Sequence, residues 1–326
     1  MGHVRERTTK RVHVPAHWFL SLVYHDVFGY PLTRKELVRW ATPRQEGVFP
    51  AEKTGEYYHM VGRAYLVLLR KEREVVSSNK HVIAQHGAHV FSRIPMVRFI
   101  GITGSLAMGN ADKKSDIDLF IITTAGTLWI TRLLVRVVSL LGGVKLRKVG
   151  GSEHKDSLCL NMWMDEENLR IPHVINTRYT AHEVLQVVPL VNKDNTFERF
   201  LRANEWARNY WPSAKPRSKI YDLGFRNKIF FKSYLKQSEK QGSMRSIGSY
   251  FLNLTSKLLV VLEPLAYRLQ QWYMRNRHTR ELIEPGRAFF HPIDWGGIVL
   301  GEFERRAKSE KRKLREPRLL PYPLTK

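Results

Sequence analysis

The chain of 326 residues has a single cysteine, Cys159, which excludes any intramolecular disulfide and any cysteine-rich zinc site. That scarcity fits a reducing compartment, so a cytoplasmic location is expected. Acidic residues are also few: 30 Asp and Glu face 54 Lys and Arg, a formal net charge of +24 at pH 7. Such an excess implies a polyanionic partner, an anionic surface or an anionic substrate. Long uncharged apolar runs are missing. The stretch 128–141 carries Arg132 and Arg136, while 251–262 contains Asn253 and Lys257 and is soon followed by Pro264. Both are too short and too charged to cross a bilayer. The basic, polar first 14 residues hold no apolar core of a secretory leader.

What is present is a folded protein. Hydrophobic residues make up 43% and aromatics 11%, enough apolar surface to offset the entropy of ordering. The length predicts two or three domains, and no internal repeat is visible. Residues 18–24 have apolar spacing near 3.6 until Gly29 and Pro31 interrupt it. Thr33-Arg-Lys-Glu36 reads as a capping box that starts a helix ending before Pro43. A third helix is expected from about Tyr57, with Val61, Ala64, Tyr65 and Leu68 on one face, and a fourth over 75–94. Short helices in this order predict a winged-helix-like domain over 1–95.

After Pro95 the pattern changes. Strands are expected at 97–103, 117–122 and 158–164, with an almost wholly apolar helix at 128–141 that should be buried against a sheet. In the last strand, Cys159, Asn161 and Trp163 share one face. Thr180-Ala-His-Glu183 reads as a second capping box. Long basic helices are expected over 225–280 and a frayed basic tail from about residue 301. The domains are therefore expected at 1–95, 96–178, 179–300 and 301–326.

The most informative segment runs from Gly101 to Thr123. It contains Gly104-Ser105, ten further residues, then Asp116-Ile117-Asp118. Two acids two apart on a strand project from one face, and a divalent cation relieves their repulsion. Gly104 and Ser105 lie at a strand-to-helix turn, where backbone N–H groups can meet phosphate oxygens. Gly109 lets the chain turn back toward the second strand.

On Gly104, Ser105, Asp116 and Asp118, the sequence resembles the polymerase β-like nucleotidyltransferase superfamily, in particular its minimal nucleotidyltransferase branch. The motif covers residues 97–124, and the order of elements extends the likeness to about 165. The resemblance implies an α+β protein: a nucleotidyltransferase α/β domain flanked by the winged-helix-like module and a C-terminal helical region. It also implies transfer of a nucleoside monophosphate from an NTP, with ATP expected, to a hydroxyl acceptor, releasing pyrophosphate. Asp116 and Asp118 would be catalytic and hold Mg²⁺ or Mn²⁺, while Gly104 and Ser105 would bind the nucleotide. The family also uses a third carboxylate on the strand after the intervening helix. Here that strand offers Asn161, with Asp156 before it and Asp165 at its end. Asn161 is the expected third metal ligand, with one of those neighbouring acids as the alternative; an amide carries no charge and cannot act as a base.

Arg132 is expected to reach the triphosphate, whereas Arg136, Lys113 and Lys114 read as solvated charges. His81, His86 and His89 lack metal-site spacing. Asn204, Trp206, Tyr210 and Trp211 fit a packed seam better than a base-stacking platform, and His291 and Asp294 have no nucleophile beside them. The basic excess lies in the flanks, so RNA or another polyanionic acceptor is the expected second substrate. The alternative is a non-catalytic nucleic-acid-binding protein whose transferase domain is vestigial.

Overall fold

A computed structural model of the chain describes residues 8–147, 154–217, 260–275, 281–290 and 294–315. These fall into two compact units, each assembled from segments distant in sequence.

The first unit comprises 1–67, 211–213 and 295–326. Its strands β1 (Thr9–Pro15), β2 (Leu32–Thr33), β3 (Val48–Thr54) and β4 (Tyr57–His59) form an antiparallel sheet in the order β1-β3-β4-β2. Helices α1 (Ala16–Asp26) and α2 (Arg34–Arg39) complete its N-terminal part. The capping box at the start of α2 forms as expected: Glu36 N–H donates to Thr33 Oγ1, and Thr33 N–H donates to Glu36 Oε2 at 2.8 Å. The third helix does not begin at Tyr57. Gly55, at φ +62°, closes a tight β3–β4 turn, so Tyr57 belongs to a strand. The helix α3 (Leu66–Phe91) starts only after Gly62, at φ +78°, and absorbs the separate helix expected at 75–94.

The last helix of this unit, α9 (Trp295–Arg315), covers part of the tail expected to fray; residues 316–326 lie outside the described residues. Arg306 on α9 pairs with Asp26 at the end of α1. Trp211 packs edge-on against Tyr24 and Trp40, a buried aromatic seam.

The second unit comprises 68–210 and 214–294. It is built on a mixed six-stranded sheet: β5 (Val97–Ile102), β6 (Ile117–Thr123), β7 (Leu158–Asp165), β8 (Val188–Asn192), β9 (Leu282–Glu284) and β10 (Arg287–Phe289), in the order β8-β5-β6-β7-β10-β9. All neighbouring pairs are antiparallel except β6 and β7, which the crossover helix α5 (Leu128–Leu141) makes parallel. Among the described residues its further helices are α3 from Leu68 onward, α4 (Gly104–Ala107), α6 (Arg178–Gln186), α7 (Thr196–Ala203) and α8 (Glu263–Met274). Phe197 and Phe200 of α7 face Phe99 and Phe120 of the sheet, each pair with centroids 5.0 Å apart.

The apolar helix α5 is buried along one face only. Leu128, Trp129, Thr131, Val135 and Ser139 are covered, as expected of a helix buried against a sheet, whereas Val137, Leu140 and Leu141 are exposed. Its first turn lacks a side-chain cap of its own. Glu263 of α8 supplies one, accepting from the N–H groups of Trp129 and Ile130 at 2.7 and 2.8 Å. The second capping box also differs. Thr177 is the N-cap of α6 and accepts from Thr180 N–H, so Thr180 and Glu183 lie inside the helix. Residues 218–259 and 276–280, which include most of the expected basic helices, lie outside the described residues. Among the described residues no helix is long and apolar enough to cross a membrane.

Candidate active site

The strand β6 is buried on both faces along most of its length, which fixes its register and therefore the direction of its two acids. Only its N-terminal end opens to solvent, and there Asp116 and Asp118 lie half-buried. The loop before the strand is held by one face of α3. Arg73 Nη1 donates to Asn110 Oδ1 at 3.0 Å, Ser77 Oγ accepts from Ala111 N–H at 3.1 Å, and the buried Lys80 donates to the Ser115 carbonyl at 2.7 Å. These residues are spaced i, i+4, i+7, so a single helical stripe pins the whole approach. Lys80 also donates to Asp156 Oδ1 at 2.7 Å, tying the start of β6 to the turn before β7.

Gly104 lies just past β5, separated from it by Thr103. Its φ of +61° suits glycine, and a Cβ there would lie 2.4 Å from Asp118 Oδ2. The missing side chain is what lets the turn approach the aspartate. Thr103 N–H donates to the Asp118 carbonyl at 3.0 Å, which ties the same turn to the acidic strand. Ser105 is exposed beside it.

On the parallel neighbour β7, Cys159 stands opposite Asp118 in register. The oxygens of Asp116 and Asp118 and the sulfur of Cys159 lie within 4.8 Å of one another, a donor set able to hold a metal ion. Asn161, buried on the same strand, donates from Nδ2 to Asp118 Oδ1 at 2.7 Å. Its Oδ1 has no partner among the described residues. Arg147 Nη1 contacts Asp116 Oδ2 at 2.7 Å and Cys159 Sγ at 3.6 Å.

The electrostatics follow from this crowding. Burial, then the charges of Asp116 and Glu183, push the Asp118 carboxyl up to about 7. Burial and the two aspartates hold the Cys159 thiol protonated far above its usual range. Glu183 reaches the loop from α6, accepting from Gly104 N–H and from Gln186 Nε2 at 2.6 Å; burial pushes it up to about 7 as well.

The structure thus brings Gly104, Ser105, Asp116, Asp118 and Asn161 together. Arg132 has other partners. Its Nη1 donates to Gln270 Oε1 at 2.6 Å, and its guanidinium lies 4.4 Å from the Phe290 ring centroid. Burial, then Arg136, lowers it to about 9. Lys113 and Lys114 are exposed. Burial, then Arg217, lowers His81 to about 3. Asn204 is a buried brace, donating to the Leu169 carbonyl and accepting from Ile171 N–H, and Tyr210 bonds the Asn176 carbonyl. His291 lies outside the described residues.

Sequence reasoning missed Arg147, Cys159 and Glu183 as site residues. The shared face of Cys159 and Asn161 was a usable signal for the cysteine. Nothing local marks Arg147, which arrives because its N–H donates to the Leu158 carbonyl at 2.9 Å, just before Cys159.

The mixed sheet presents an Asp-x-Asp pair against a glycine turn at the end where its acidic strand opens to solvent. Residues 90–159 match the family model described as nucleotidyltransferase domain, which is consistent with the polymerase β-like type. No curated protein and no solved structure matches the chain.

Proposed function

We propose that the protein transfers a nucleoside monophosphate from an NTP, ATP first among them, to a hydroxyl acceptor and releases pyrophosphate. The observation that carries this reading is the convergence of Asp116 and Asp118 on the Gly104 turn within the segment that matches the nucleotidyltransferase family. In the reaction the acceptor oxygen bonds to the α-phosphorus, the α–β bridging P–O bond breaks and pyrophosphate leaves.

The residues present fit a divalent metal. Two carboxylates and a thiol converge, and a buried amide oxygen beside them lacks a partner. Asp116 and Asp118 would hold the ion, which when bound neutralises triphosphate charge and lowers the pKa of the acceptor hydroxyl. The turn at Gly104-Ser105 receives the outer phosphates. Glu183 already accepts the Gly104 N–H, so phosphate binding there must share or displace that bond. Arg147, facing the same acids, is better placed to meet an anionic substrate than Arg132.

A polyanion such as RNA is the acceptor favoured by the +24 charge. The vestigial alternative draws on Asn161 and Arg147, which occupy the two aspartates with a neutral donor and a cation.

The test uses the full chain with each α-labelled NTP, Mg²⁺ or Mn²⁺, and RNA. Label should pass to RNA, and Asp116→Asn and Asp118→Asn should each lower the rate by about a hundredfold or more. Equal rates in both variants refute catalysis at this site. RNA binding with a steep salt dependence but no transfer from any NTP establishes the vestigial reading instead.

A further inference from the structure

We infer that Cys159 supplies the third metal ligand of this site as a thiolate, so that the site selects borderline or soft divalent cations over Mg²⁺. The inference deepens the proposed function and shares with it only the metal-holding role of Asp116 and Asp118.

Three geometric facts carry it. First, the register of β6 and β7 sets Cys159 directly beside Asp118, and its sulfur joins both carboxylates within 4.8 Å. Second, Asn161, expected as the third ligand, already engages Asp118, its Nδ2 donating to Oδ1 at 2.7 Å. The same side chain is 7% exposed and leaves Oδ1 without a partner among the described residues. Third, the Arg147 guanidinium already bridges Asp116 and Cys159, at 2.7 and 3.6 Å. A cation belongs between these two side chains, and a divalent ion bound there takes over from the guanidinium.

The donor set then decides the metal. Mg²⁺ prefers hard oxygen ligands and sheds water reluctantly, whereas Mn²⁺, Co²⁺, Zn²⁺ and Cd²⁺ accept sulfur increasingly well. As the metal–sulfur bond forms, the Cys159 S–H bond breaks and its proton passes to the buffer; no electron is transferred.

Cys159 is the only cysteine in the chain, so a sulfur-to-metal charge-transfer band reports on it alone. Metal-free full-length protein titrated with Cd²⁺, without nucleotide, should develop that ultraviolet band and saturate near equimolar metal. Cys159→Ser and Asp118→Asn should both abolish it, and loss of the sulfur should weaken Cd²⁺ binding by about tenfold or more. Cys159→Asp should still bind metal, without the band, and with its preference moved toward Mg²⁺. Cd²⁺ uptake by the wild type without the band overturns the inference, as does displacement of Cd²⁺ by equimolar Mg²⁺. Because no NTP or acceptor is present, these outcomes are independent of whether nucleotidyl transfer occurs.

Discussion

Asn161 donates to Asp118 at 2.7 Å, a neutral amide on a carboxylate where the family resemblance implies a third acid. Asn161→Asp would place two carboxylates at hydrogen-bond distance. Without metal they repel, so Tm in EDTA should fall below the wild-type value. A divalent ion relieves that repulsion, so Mg²⁺ should raise the variant's Tm by more than the wild type's. Differential scanning with and without Mg²⁺ reads both effects, and equal metal responses in the two proteins would contradict this account.

Gly104 and Gly126 share a φ of +61°, but only Gly104 has Asp118 against it; around Gly126 a Cβ meets nothing within 4 Å. Alanine at either position pays about 1 kcal/mol or more of left-handed strain. Gly104→Ala must in addition move Asp118. It should therefore lose transfer activity, while Gly126→Ala, which bears the backbone strain alone, keeps most of it. Equal activities would show that the close approach has no catalytic role.

Metal-free stability should depend on pH through Asp118 and Glu183, both pushed up to about 7 mainly by burial. In the unfolded chain these acids ionise near their ordinary values of 3.8 and 4.5. Between those values and about 7, the folded state holds protons that the unfolded state has released. Raising the pH through that window therefore lowers stability, which then levels off above about 7. Asp118→Asn with Glu183→Gln should flatten the decline. In the presence of divalent metal the trend should reverse, since the ion requires the ionised carboxylate. Tm measured from about pH 5 to pH 8, with EDTA or metal, tests the sign.

Lys80 is 1% exposed and bonds both the Ser115 carbonyl and Asp156. Lys80→Met keeps the bulk but leaves both acceptors without their donor. Asp156 is 39% exposed and can turn to water, so the cost should be about 1–3 kcal/mol rather than that of a fully buried broken pair. Transfer should fall as well, because the clamp joins the starts of the strands bearing Asp116 and Cys159. A chemical-denaturation curve alongside the transfer assay separates the two effects; full activity in a destabilised variant would make Lys80 purely structural.

Much of the second unit was legible because its signals are local. The Gly104-Ser105 and Asp116-Ile117-Asp118 spacing lies within one turn and one strand, and runs rich in strand-forming residues mark β5 and β6. The first unit was harder to read. Tyr57, Val61 and Leu68 have helical spacing, but the turn at Gly55 and the bend at Gly62 divide them among a strand, a loop and a helix. Periodicity describes which residues are apolar, and glycine dihedrals decide where the chain can continue.

The sequence by itself determined the acidic pair, the glycine-serine turn ten residues before it and the charge that favours an anionic partner, since each is a matter of residue type and short spacing. Only the tertiary structure decided what surrounds the pair. Arg147, Cys159, Asn161 and Glu183 come from β7, the segment before it and the helix α6 that follows it, and strand register and helix packing bring them together. It also sent Arg132 to Gln270 and Phe290, because the stripe of α5 that carries it packs toward α8. Sequence spacing states which side chains share a face, and the packing of that face against distant elements determines what they meet.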